Sequence, residues 1–290
     1  MNSYKMEQDN KYLIVMPAYN EAAKIGKLLE NMQPYKSNVL VIDDGSKDQT
    51  RQIIDDYGFY YKKNERNLGV SASIIKGIHY AVERSIKNVI IMDADGQHDP
   101  AYIPQFLNML EEHDFVFGCR FHKGEPIPTN KWASNLFAAA LYAELTGRYF
   151  TDLSCGFKGL HVDKDLMAAL ENSQGFGIIY DIVSYALRKK ADIGIVPIEA
   201  IYFYDELLYT PTKEIFGLLE AVDQFRQMYG ENVSEYLETL IQDIKKAVLR
   251  REKFHAYIAS TNFWAFPICE DGYLFQIDPK DIRRCFEKSG

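Results

Sequence analysis

Short apolar runs alternate with stretches of helical periodicity through about 120 residues at the start of the chain, and few folds satisfy that alternation. Tyr12-Leu13-Ile14-Val15-Met16 reads as a buried strand ended by Pro17. The segment Glu21 to Met32 places Ile25, Leu28, Leu29 and Met32 on one helical face. Asn38-Val39-Leu40-Val41-Ile42 is a second strand, and a helix capped by Ser46 or Asp44 is expected from Lys47 to Tyr57. Phe59-Tyr60-Tyr61, Val89 to Met92 and Phe115 to Cys119 read as further strands. Helices are expected from Val70 to Val82 and from Pro100 to Leu110. Runs that are apolar throughout, rather than at alternate positions, suit strands buried on both faces. The chain is therefore expected to be α/β, with a mostly parallel sheet flanked by helices through right-handed crossovers.

Beyond Phe121 the order loosens. Phe121 to Asn130 reads as a loop, Trp132 to Leu145 as a helix, and Phe150 to Val162 as an irregular or strand segment. Ile179 to Lys190 reads as a helix and Ile193 to Ile198 as a strand. From Pro211 the texture turns to amphipathic helices, Ile215 to Met228 and Val233 to Arg250. Two parts follow: an α/β domain over 1–210 and a helical C-terminal extension over 211–290, expected to pack on the first part, cover an acceptor or form a homodimer. The aromatic cluster Phe263-Trp264-Ala265-Phe266 belongs to no pattern we can assign.

A net charge of −8 disfavours general nucleic-acid binding, which needs a basic footprint. The four cysteines form no C-x-x-C pair and read as reduced thiols. The polar start lacks a secretory core, and no run of 18 apolar residues occurs. A cytoplasmic protein is expected, with Trp132 to Leu145 either a core helix or a peripheral membrane contact.

The chemistry concentrates in Asp93-Ala94-Asp95-Gly96-Gln97-His98-Asp99-Pro100, directly after a buried strand. Strand ends are where open α/β sheets bind ligands. Asp93 and Asp95 can turn to the same side, and with the amide of Gln97 they offer hard oxygen ligands for Mg²⁺ or Mn²⁺ on a diphosphate. Turn chemistry alone also explains an isolated D-x-D. Asp43-Asp44-Gly45-Ser46 closes the second strand, where a carboxylate can accept bonds from a base or ribose or else cap a helix. No G-x-G-x-x-G or G-x-x-x-x-G-K-[ST] is present, which disfavours dinucleotide and P-loop sites.

Met16-Pro17-Ala18-Tyr19-Asn20-Glu21, Val41-Ile42-Asp43-Asp44-Gly45-Ser46, Asn67-Leu68-Gly69 and the Asp93 segment together resemble family 2 glycosyltransferases of the GT-A fold. Phe117-Gly118-Cys119-Arg120-Phe121 and Asp152-Leu153-Ser154-Cys155-Gly156-Phe157-Lys158 resemble the polyprenyl-phosphate hexosyltransferase branch, which includes dolichyl-phosphate mannose synthase. The resemblance covers roughly Tyr12 to Ile198 and implies a GT-A, Rossmann-like domain. It implies a nucleotide-diphosphate sugar donor with a UDP or GDP base, bound by Pro17, Tyr19, Glu21, Asp43, Asp44, Asp93 and Lys158. It also implies a metal on Asp93, Asp95 and Gln97, and hexose transfer with inversion. Asp181, Asp95 and Arg120 are the catalytic candidates. Asp181 is either a base toward a hydroxyl acceptor or a capping residue near a helix start. Arg120, Lys131 and Lys158 are candidate cations for phosphate oxygens.

The lipid-phosphate branch usually carries R-x-x-G-x-S-K after its V-P strand, whereas here Ile201-Tyr202-Phe203-Tyr204-Asp205-Glu206 follows. Aromatic and acidic residues in place of a basic clamp favour a sugar, glycan or other hydroxyl acceptor over a polyprenyl phosphate, and both stand as acceptor readings. A nucleotide-sugar-binding partner without turnover is the alternative from another class.

Overall fold

The structure is a computed structural model, and it describes residues 11–120, 135, 138, 139, 141–143, 146–150, 152–201, 219, 222, 223, 226, 238, 239, 241, 242 and 274–276. Its contacts divide the chain into two compact units. The first combines Met1–Gly118 with Cys155–Ile201; the second combines Cys119–Ser154 with Tyr202–Gly290. The expected division at 210 falls outside the described residues, as do the loop over 121–130 and the aromatic cluster over 263–266.

The main sheet has seven strands in the order β3-β2-β1-β4-β7-β5-β8. They are β1 (Tyr12–Ala18), β2 (Val39–Asp43), β3 (Tyr61–Lys63), β4 (Asn88–Ile91), β5 (Phe115–Cys119), β7 (Lys158–His161) and β8 (Ile193–Pro197). β1 pairs in parallel with β2 and β4, and β2 with β3. Ala18 stands opposite Asp43, and the Met92 N–H donates to the Val15 carbonyl at 3.1 Å, so three loops leave the sheet at one edge. β7 is the exception to the parallel order: it runs antiparallel to both β4 and β5, with Lys158 opposite Ile91 on one side and Phe117 on the other.

Both faces are covered, as strands without polar alternation require. Ile14, Met16, Val39, Val41 and Ile90 pack with α1 (Ile25–Asn31), α2 (Thr50–Tyr57) and α4 (Ile103–Met109) through Ile25, Leu28, Leu29, Ile54, Ile103 and Phe106. Val15 points the other way, against α3 (Val70–Glu83). α5 (Lys164–Leu170) and α6 (Gly177–Arg188) also pack with α3. Burying each of these apolar side chains contributes about 1.5–3 kcal/mol. In the second unit β6 (Arg148–Phe150) pairs antiparallel with β9 (Leu274–Gln276), and Tyr142 and Phe150 are buried.

Several boundaries differ from the sequence reading for reasons visible in the bonds. α1 starts at Ile25 rather than Glu21, and in the turn before it the Glu21 and Ala22 N–H groups donate to Thr50 Oγ1 (2.8 Å) and Asp48 Oδ2 (3.1 Å) in the next loop. α2 starts at Thr50 because Ser46 Oγ instead accepts from the Asn20 N–H (3.0 Å), while Asp48 Oδ1 takes the Thr50 N–H (3.0 Å). The expected Pro100 helix is a 3₁₀ turn, Pro100–Tyr102, leading into α4. α5 was not foreseen; Asp163 caps it by accepting from the Leu166 N–H at 2.8 Å.

Asp44 caps neither helix. Its carboxylate is buried and accepts from the Leu68 N–H (3.0 Å), the Gly69 N–H (2.7 Å) and the Asn64 amide (2.7 Å). This ties the end of β2 to the start of α3. Gly45, at φ +75°, passes so close to Arg66 that a Cβ there would lie 2.5 Å from its carbonyl carbon. Removing the Asp44 carboxylate takes the acceptor from three donors, of which the Asn64 amide is buried. Asp44→Ala is expected to lower stability by about 2–3 kcal/mol in urea unfolding without nucleotide. A loss below about 0.5 kcal/mol would show that the clamp contributes little.

Candidate active site

The loop after β1 and the loop after β2 are joined by reciprocal hydrogen bonds. Asn20 adopts a left-handed conformation at φ 57°, which Asn tolerates better than most residues. Its N–H donates to Ser46 Oγ, and its side-chain oxygen accepts from the Lys47 N–H at 2.8 Å. Asp43 is buried, with Oδ1 accepting from the Ser46 N–H at 2.9 Å. Pro17 lies in β1 opposite Ile42, and Tyr19 just beyond is exposed.

The loop after β4 carries the carboxylate pair. Asp95 accepts twice from Gln97: Oδ1 from its N–H (2.9 Å) and Oδ2 from its side-chain amide (2.8 Å). Asp93 lies directly against the backbone of Gly156, where an added Cβ would come within 2.3 Å of Oδ2. The Asp93 N–H donates to His98 Nδ1 at 3.2 Å. The His98 ring is buried and stacks on Phe157, which stacks in turn on Phe106.

The charges converge unfavourably. Burial raises the carboxyl of Glu21 to a pKa of about 7, helped by the charges of Asp95, Asp93 and Asp48 against the opposing charge of Lys24. Burial, then the charge of Asp93, also raises Asp95. Desolvated carboxylates facing one another are stabilised by a cation. Among the described residues no three His, Cys, Asp or Glu side chains are grouped to hold a metal unaided. Asp93 and Asp95 do fit an ion of the Mg²⁺ or Mn²⁺ type, which takes one or two carboxylates and fills its shell with water and substrate phosphates. The Gln97 backbone N–H and side-chain amide both donate to Asp95 and orient that carboxylate, and its amide oxygen is the atom that would ligate an ion.

The remaining candidates stand apart from this cluster in their bonding. Asp44 is engaged by Asn64, Leu68 and Gly69. Lys158 is fully buried in β7, its ammonium 4.3 Å from the centre of the Phe117 ring. Asp181 lies on α6 and accepts from Ser173 Oγ at 2.6 Å. Arg120 belongs to the second unit, where Nε and Nη2 donate to Asp152 Oδ2 (2.8 Å) and Oδ1 (2.9 Å). Both partners are buried, and Ser154 Oγ takes a further bond from Nη2. Lys131 lies outside the described residues. The sequence reading missed Asn20, His98 and Gly156 as builders of the site. For Asn20 and Gly156 the residue type was the available signal.

The profile of glycosyl transferase family 2 matches residues 13–172. An uncharacterized protein of Methanocaldococcus jannaschii is 30% identical over 73% of this chain and 98% of its own length. The UDP-N-acetylglucosamine–dolichyl-phosphate N-acetylglucosaminyltransferase of Methanococcus voltae is 27% identical over 67% of this chain and 87% of its own. Among solved structures, glucosyl-3-phosphoglycerate synthase of Mycobacterium tuberculosis, in complex with Mn²⁺, UDP and glucosyl-3-phosphoglycerate, aligns with a TM-score of 0.56. It shares 20% identity across 73% of this chain and 80% of that one, a likeness of fold.

Glu21 binds its proton more tightly folded than unfolded, so between about pH 4.5 and 7 the native state holds more protons and stability falls as pH rises. In chelator, the melting temperature should drop across this window, and Glu21→Gln should flatten the drop. Parallel curves for the two proteins would remove Glu21 from the cluster. Gly156→Ala should displace Asp93 and weaken metal-dependent nucleotide binding about tenfold or more, with no further loss when Asp93→Ala is added. Additive losses in calorimetric titration would refute the coupling.

Proposed function

The chain belongs to glycosyl transferase family 2, and we propose that it is a metal-dependent inverting hexosyltransferase that uses a nucleotide-diphosphate sugar and delivers the hexose to a polyprenyl phosphate. The observation that carries this reading is the carboxylate pair Asp93 and Asp95, held just past the end of β4 by Gly156 and Gln97, whose charges together with burial raise Glu21. The dolichyl-phosphate N-acetylglucosaminyltransferase relative supports the acceptor class.

Asp93 and Asp95 would hold the ion, with Gln97 fixing the orientation of Asp95. When bound, Mg²⁺ or Mn²⁺ neutralises charge on the departing nucleoside diphosphate. Asp43 would accept hydrogen bonds from a uracil or guanine base, with Pro17 and Tyr19 lining the same pocket and Asp44 holding the loop beside it. Direct displacement at the anomeric carbon inverts its configuration. A phosphate acceptor is already anionic and needs cations more than a base; the candidates are Arg120, which is paired with Asp152, Lys158, which is buried over Phe117, and Lys131, outside the described residues. We place the protein in the cytoplasm, at a membrane surface, where a lipid phosphate is reached; no helix among the described residues is long and apolar enough to cross a membrane.

A second reading, transfer to a glycan hydroxyl, is favoured by the absence of Arg and Lys in Ile201-Tyr202-Phe203-Tyr204-Asp205-Glu206. There Asp181, oriented by Ser173, would serve as the base.

The test is transfer of radiolabelled hexose from UDP- and GDP-sugars, with Mn²⁺ or chelator, to polyprenyl phosphate or a soluble glycan. Label is expected in the lipid fraction only with metal. Asp95→Ala should cut the rate by about 100-fold or more, as loss of metal-based charge stabilisation implies. A wild-type rate in Asp95→Ala would overturn the metal assignment. Transfer to the glycan alone, abolished by Asp181→Asn, would establish the second reading. Metal-dependent donor binding without transfer or hydrolysis would identify a binding partner instead of an enzyme.

A further inference from the structure

Just past β4 the Met92 N–H still bonds to β1, donating to the Val15 carbonyl at 3.1 Å. The next donor, the Asp93 N–H, has left the ladder and donates to His98 Nδ1 at 3.2 Å. We propose that His98 is a positioning residue for the Asp93–Asp95 pair, an inference that rests on the metal-dependent donor reading above. An amide nitrogen always carries its hydrogen, so Nδ1 must present a lone pair, and the ring hydrogen sits on Nε2. The ring itself cannot drift. It is 2% exposed and stacks on Phe157 with centroids 5.1 Å apart, and Phe157 stacks on Phe106 at 4.1 Å.

Two neighbours in sequence therefore fix Asp93 in two ways. Gly156 supplies the surface against which its carboxylate lies. Phe157 holds the ring that takes its backbone N–H. Between the anchors at Asp93 and His98, both Asp95 oxygens are already bonded by Gln97. The loop is thus set before any ligand arrives, and less binding free energy is spent on ordering it.

Two variants separate the hydrogen bond from the packing. His98→Phe keeps a stacked ring without an acceptor; His98→Asn keeps an acceptor oxygen near the Nδ1 position without the ring. Mn²⁺ with UDP or GDP, whichever binds the wild-type protein, is the probe. His98→Phe should stay within about 4 °C of the wild-type melting temperature. Hydrogen exchange at the Asp93 amide should be at least tenfold faster in the metal-free protein, with the β4 amides unchanged. Its nucleotide affinity should fall at least tenfold with Mn²⁺ and hold in chelator. His98→Asn should regain Mn²⁺-dependent affinity to within threefold of wild type. Unchanged exchange at Asp93 in His98→Phe overturns the proposal, and so does an equal loss of affinity with and without metal. A wild-type protein lacking any metal-dependent nucleotide binding overturns the proposed function, and exchange at Asp93 then decides the structural part alone.

Discussion

The contact of the Asp93 carboxylate with the bare backbone of Gly156 is the constraint around which the site is arranged. It exists only because β7 enters the sheet antiparallel, between β4 and β5. A parallel strand at that place would begin at the opposite edge, and its approach would come from a crossover helix. The antiparallel strand instead starts beside the end of β4, so the residues leading into it lie alongside the loop that β4 feeds. Cys155, Gly156 and Phe157 are all in position to act on that loop: Gly156 against a carboxylate, Phe157 under an imidazole, and Cys155 buried beneath Gly118.

Holding carboxylates this close works against folding. Glu21 and Asp95 are both displaced upward by burial and by neighbouring negative charge. The fold offsets that cost elsewhere, through fully buried strands and through hydrogen bonds that join one loop to the next. A site that is strained when empty and relieved by a cation binds that cation more tightly than a relaxed one. The same features that raise these pKa values therefore favour a bound cation.

The parallel core was legible because its signal is local. Each strand is a single apolar run and each helix has its own period, so β5 was placed at its observed limits and α3 within one residue. Helix starts were less legible. The Glu21 and Ala22 amides donate to Thr50 and Asp48, side chains 29 and 26 residues away, and no cap motif inside the segment reports such bonds. The site shows the same division. Asp93 and Asp95 announce themselves by residue type, whereas Gly156 matters because of what approaches it from another strand. His98 stood inside the motif, but its partner Phe157 is remote in sequence, so nothing local revealed a buried, stacked ring.

Asp43 and Asp44 show why adjacent carboxylates need not share a task. In an extended strand end, successive side chains point to opposite sides. Asp44 turns toward the loop before α3 and is consumed by Asn64, Leu68 and Gly69. Asp43 takes a single bond from the Ser46 N–H through Oδ1. Asp43 ends β2 and Asp44 follows it directly, so the alternation of side chains along the strand separates two residues of the same type. Asp44 thus ties the loop to the start of α3, while Asp43 folds the loop back on itself through the Ser46 N–H.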